Sequence, residues 1–178
     1  MSMRLFCASL FALAATISPS TPVSAQAPPP PVCETEPEFR QFDFWIGTWE
    51  VYNATNDRRA GTNHIESRHG GCLLVENWTS VGGVDGTSIN YYDSVRGTWR
   101  QYWVSGGYSI EIEGGLDAEG RMVLEGELHA YRSRQAVPFR GTWTPRPDGS
   151  VRQLFEQLAA DTGDWVVWFD GRYEPAGD

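Results

Sequence analysis

The chain of 178 residues carries 23 acidic side chains against 14 basic ones, for a net charge of −9, and it contains no lysine. A nucleic-acid binder needs a cationic surface to displace counterions, so this balance excludes that partner and makes anionic membranes poor partners too. Schiff-base chemistry is excluded with the lysines.

Residues 1–25 have the form of an export signal. Arg4 supplies the positive start, Leu5 to Ile17 forms an apolar core too short to span a bilayer, and Val23-Ser24-Ala25 has the small-residue pattern of a cleavage site. The mature chain is expected to begin near Gln26 and to be periplasmic or secreted. No membrane insertion is expected after cleavage, because no later apolar stretch approaches the roughly 20 residues of a membrane helix. Cys7 leaves with the signal, so Cys33 and Cys72 remain. An oxidising compartment favours a disulfide between them, with free thiols as the alternative.

Residues 26–37 form a proline-rich leader, expected to be a stiff, extended tether. Residues 38–178 have the size of one domain. A short helical turn is expected at Glu38 to Gln41, followed by Phe42-Asp43-Phe44-Trp45-Ile46-Gly47-Thr48-Trp49. Its rings are too many for a solvated segment and too closely spaced for one face of a strand. The run therefore starts as a plug and becomes a strand at Ile46, with Phe44, Trp45 and Trp49 closing one end of the sheet and Gly47 letting backbones approach.

From Ile46 onward, short alternating runs are cut by Gly, Asn and Asp at intervals of about a dozen residues, the pattern of antiparallel β-structure. Ten strands are predicted: 46–53, 61–68, 72–80, 86–93, 98–105, 107–114, 120–131, 136–144, 150–158 and 164–174. Tight turns with positive φ are expected at Gly82-Gly83, Gly106-Gly107, Gly114-Gly115 and Asp148-Gly149. Val151 to Ala160 fits a helix as well as a strand. Alternation puts Leu74, Glu76 and Trp78 on one face of their strand, and Trp99, Gln101 and Trp103 on one face of theirs. Aromatic side chains on both faces suit a sheet that closes on itself and keeps a lined interior. Gly-Thr-Trp recurs at Gly47, Gly97 and Gly141 in unlike surroundings, a repeated turn-to-strand solution rather than a duplicated unit.

Gly47-Thr48-Trp49 resembles the G-x-W signature of lipocalins and their calycin relatives. The resemblance implies a single closed antiparallel up-and-down barrel, all-β and calycin-like, of about ten strands. It also implies that Trp49 lies at the closed end under an arginine from the last strand, here Arg172, with Gly47, Trp49 and Arg172 as structural residues. The longer motif F-D-F-W-x-G-x-W, running on through Gly71 to Trp78, Tyr91-Tyr92-Asp93, Trp99 to Val104, Gly149 to Gln153 and Asp170 to Tyr173, resembles a bacterial exported family of unknown function. The ten-stranded nitrobindin haem barrels look similar at greater distance. Their haem ligand is a late histidine, whereas the last histidine here is His129, so no cofactor is expected.

His64 and His69 are poorly spaced to share a metal, and no metal is expected. Ser88 and Ser109 lack a nucleophile elbow. Glu111 with Glu113, and Glu125 with Glu127, read as solvated strand faces rather than catalytic pairs. More telling are polar residues set among rings in mid-strand: Glu76, Asn90, Gln101, Arg140 and Gln153, alongside Trp78, Trp103 and Trp168. A mostly apolar wall with a few converging polar groups is the shape of a small-molecule site. These eight residues are the expected lining of a non-catalytic carrier for a small apolar or aromatic ligand, with Arg140 and Gln153 orienting a carboxylate or carbonyl. The alternative is a cofactor-free isomerase, cyclase or lyase with Glu76 as general base and Tyr92 or Tyr102 donating to a developing oxyanion.

Overall fold

The computed structural model describes residues 29–177. The export signal and the first residues of the leader lie outside this range. Ten antiparallel strands, β1 (Gly47–Asn53), β2 (Arg59–Arg68), β3 (Leu73–Ser80), β4 (Asp85–Asp93), β5 (Thr98–Ser105), β6 (Tyr108–Leu116), β7 (Met122–Ala130), β8 (Gln135–Pro145), β9 (Val151–Leu158) and β10 (Trp165–Pro175), pair in sequence order. β1 closes on β10, so the sheet is an up-and-down barrel without an edge. The ambiguous run at Val151 is strand. Gly83 and Gly149 take the positive φ expected of them. Gly114 and Gly115 do not form a turn: they lie inside β6, where a Cβ on Gly114 would sit 2.1 Å from the Val123 carbonyl oxygen of the neighbouring strand.

The leader is not a tether along its whole length. Val32–Thr35 forms one helical turn, Pro37–Arg40 and Asp43–Trp45 form 3₁₀ turns, and Cys33 is buried in a disulfide with Cys72 just before β3. That bond anchors the segment under the barrel. There the rings of Phe42 and Trp45 stack at 5.0 Å, and Phe42 meets Trp143 and Trp99 edge-on at 5.2 and 5.6 Å. Two of the buried indole N–H groups find backbone partners in the same segment, Trp49 Nε1 donating to the Trp45 carbonyl at 2.9 Å and Trp99 Nε1 to the Glu38 carbonyl at 3.2 Å, whereas those of Trp45 and Trp143 have none among the described residues. The three Gly-Thr-Trp copies thus deliver Trp49, Trp99 and Trp143, all buried, to one plug. Phe44 is only partly buried at its margin, and Phe42 takes the central position.

Gly47 opens β1 with a φ of +148°, so its contribution is conformational rather than a close approach of backbones. Arg172 does not cover Trp49. It lies on the outer face over the Tyr52 ring, paired with Asp57 at 2.8 Å and Glu174 at 2.9 Å. The neighbour Tyr173 points inward and packs against Trp49 with ring centroids 6.2 Å apart. Successive residues of a strand face opposite sides of the wall, so Tyr173 takes the place expected of Arg172.

Candidate functional site

Above the plug, the interior opens into a chamber of about 130 Å³. Five of the expected lining residues bound it, namely Glu76, Trp78, Trp103, Gln153 and Trp168, joined by Tyr108, Ile110, Phe155, Phe169 and Tyr173. Trp78 meets Phe169 edge-on at 6.3 Å and Tyr108 meets Trp168 edge-on at 5.3 Å, while Phe155 and Trp168 are tilted at 6.3 Å. Glycines make room for them. A Cβ on Gly86 would lie 2.2 Å from the Trp103 indole, and one on Gly171 would lie 2.6 Å from the Phe169 ring.

Trp168 reaches the chamber through a β-bulge. Simple alternation would send it outward with Asp170 and Arg172, but the pairing of β10 with β9 shifts between Val167 and Phe169. The extra residue re-aims the strand. Trp168 consequently turns onto Phe139, Phe155 and Tyr108 while remaining 39% exposed, which puts it at the chamber mouth.

Glu76 forms the polar floor, only 3% exposed. Asn63 Nδ2 donates to its Oε1 at 2.7 Å, and Ser88 Oγ donates to its Oε2 at 2.6 Å. Ser88 Oγ in turn accepts from Asn90 Nδ2 at 2.8 Å, and Asn90 Oδ1 accepts from Gln101 Nε2 at 2.7 Å. Every bond in this chain runs toward the carboxylate, the polarity that supports its ionised form. Burial opposes it and dominates, pushing the Glu76 pKa up to about 7 against the pull of Ser88 and Asn63. Burial also raises the Tyr173 hydroxyl well above its ordinary range, and the nearby Glu76 charge adds to the effect. Asn90 and Gln101 are therefore props beneath Glu76 rather than lining.

The remaining predicted residues lie elsewhere. Arg140 is on the outer face: it donates to Glu156 at 2.8 Å, approaches Glu125 at 3.6 Å and stacks on Trp165 at 4.5 Å. Its neighbours Phe139, Gly141 and Trp143 hold the inward phase of β8, which leaves Arg140 outward. Tyr102 is also outward, bonded to Glu111 at 2.7 Å. Tyr92 faces inward at the closed end, against Phe39 and Trp99. Neither tyrosine converges on Glu76, whereas Tyr173 does, through the shared donor Asn63 Nδ2, 3.3 Å from its hydroxyl.

The histidines stand outside the chamber. His64 bonds Thr48 at 2.9 Å on the exposed surface, His69 lies in the β2–β3 turn, and His129 faces Glu127 at 3.4 Å. The paired glutamates of β6 and β7 lie on the outer wall around Arg100 and Arg140.

Asn63, Tyr108, Ile110, Phe155, Phe169 and Tyr173 are site residues that the sequence did not point to, and Ser88, considered only as a nucleophile, serves as a donor to Glu76. Asn63 was signalled by its phase with Gly61 and Ile65, both inward on β2. Fold and site together define a closed ten-stranded antiparallel barrel with an aromatic-walled, acid-floored chamber. No protein-family model matches the chain, and no curated protein matches it either.

Proposed function

We propose that this protein is a non-catalytic binder or carrier of a small apolar or aromatic molecule, held inside the barrel between the plug and Trp168. The observation that carries the reading is the chamber itself, walled by rings and floored by Glu76 and Gln153. Its 130 Å³ is close to the roughly 150 Å³ of an apolar cavity that takes up benzene, so the guest is about one ring in size. We place the protein with the exported barrel family that shares its F-D-F-W-x-G-x-W opening, and outside the cytoplasm. The Cys33–Cys72 disulfide supports that location.

Arg140 has no part in this reading, since it faces solvent-side carboxylates. A carboxylate guest would meet Glu76 and no compensating cation, so of the two residues expected to orient a carboxylate or carbonyl, Arg140 and Gln153, only Gln153 is in place. Native mass spectrometry on protein purified from its own host tests the proposal. A retained species of small mass is expected, and repeated recovery of the bare polypeptide that also fails to take up ring-sized solutes would defeat it.

A second reading has one observation in its favour. Glu76 titrates near neutrality, the range in which a general acid or base works best, and Tyr173 stands beside it as a donor. Turnover of a candidate substrate abolished by Glu76→Gln with unchanged affinity would favour it.

A further inference from the structure

We propose that the guest is an organic cation, a protonated amine on a small apolar body, with its ammonium on Glu76 and its body between the rings of Trp103, Phe155 and Trp168. This deepens the carrier reading and rests on it.

Three observations converge. First, the chamber has acceptors with capacity to spare. Gln153, 3% exposed, lines the chamber with its Oε1 buried and without a partner, and Glu76 accepts only two hydrogen bonds where a carboxylate can accept about four. The Trp103 indole N–H also lacks a well-formed partner, but it faces the Tyr108 hydroxyl. Second, among the described residues the lining contains no arginine or histidine, so the floor is acidic with no cation of the protein's own. A buried carboxylate without a counter-charge is costly, and a guest that brings the positive charge removes the deficit. Third, the walls are ring faces and edges. The negative face of an indole or phenyl ring attracts an ammonium group, and tryptophan does so best. A neutral guest could use the rings and one acceptor. Only a cation uses the rings, the Gln153 oxygen and the charge of Glu76 together, and charge-assisted hydrogen bonds are about twice as strong as neutral ones.

Binding should be linked to a proton. Glu76 faces Asn63 from β2, Ser88 from β4 and Gln153 from β9, all neutral; the titratable groups near it are the hydroxyls of Tyr108 on β6 and Tyr173 on β10. Both phenols are raised and stay protonated at neutral pH. Below the Glu76 pKa of about 7 the cation must therefore displace a proton from that one group, and affinity falls about tenfold per pH unit.

The test is calorimetric titration of the purified chain with benzylammonium chloride and with benzyl alcohol, which differ at the polar end alone. An alkylammonium stays charged between about pH 5.5 and 8, so any pH dependence in that range belongs to the protein. The proposal expects benzylammonium to bind at least tenfold tighter than the alcohol at about pH 8. Near pH 6 it expects release of about one proton per cation, read from buffers of different ionisation enthalpy. Proton release is measured on the unaltered protein, so the test does not depend on a variant folding. Glu76→Gln should abolish the preference while the alcohol still binds. Equal affinity for the two compounds with no proton release would overturn the cation and leave the carrier reading standing. Binding of neither would overturn both.

Discussion

Glu76→Gln isolates the energetic consequence of burying an acid without a cation. In the folded protein the carboxyl is held at about 7, against 4.5 when exposed. The folded state therefore keeps its proton to a higher pH than the unfolded chain does, and stability on this account is full below the unfolded value. It declines as pH rises through the window from about 4.5 to 7, and stays low above it. At about 1.4 kcal/mol per unit the loss between about pH 4 and pH 8 is about 3 kcal/mol. The exposed acids oppose this trend. Glu50, Asp93, Asp117 and Asp148 are held low chiefly by bonds from Arg59, Arg96, Arg121 and Ser150, and what they contribute is lost as pH falls. Comparison with the variant removes their contribution, because glutamine fits the site without ionising and can accept from Asn63 while donating to Ser88. Urea unfolding of both proteins at several pH values is the assay. The difference in unfolding free energy, variant minus native, should grow by about 3 kcal/mol from about pH 4 to 8. Parallel profiles would mean that the carboxyl is solvated and its pKa ordinary.

Three further outcomes are expected. Replacing both Cys33 and Cys72 by Ser opens a loop of sequence separation 39. This should cost about 4 kcal/mol and lower Tm by about 8–16 °C in a thermal melt, and an unchanged Tm would contradict anchoring of the plug by the bond. Gly86→Ala pushes a methyl into the Trp103 ring, so it should cost about 1–3 kcal/mol in denaturant titration and abolish uptake of benzyl alcohol; native-like uptake would mean the indole is not held against Gly86. Arg140→Ala removes outer-face contacts with Glu156, Glu125 and Trp165. It should change stability by about 1 kcal/mol or less and leave guest affinity unaltered, whereas a tenfold loss of affinity would return Arg140 to the interior.

The strands were legible by alternation and closure by aromatic side chains on both of their faces, and Trp99, Gln101 and Trp103 do point inward together as their spacing predicts. The plug was legible too, from ring density alone. What escaped depended on phase and on pairing between distant strands. Arg140 and Arg172 were misplaced by a single residue each, and the inward neighbours Gly141 and Tyr173 carry the correct phase. Trp168 was singled out as a ring, but it reaches the chamber through a bulge that no periodicity encodes. The polar residues could be singled out as unusual, yet their common direction toward Glu76 requires the register that sets Glu76 opposite Ser88 and Asn90 opposite Gln101.

A crystal structure of the mature protein soaked in benzyl alcohol would show directly whether the chamber takes a guest. The ring should lie between Trp103, Phe155 and Trp168, with its hydroxyl toward Gln153 and Glu76. Indoles collapsed into the chamber, or alcohol density confined to the outer wall, would contradict the account.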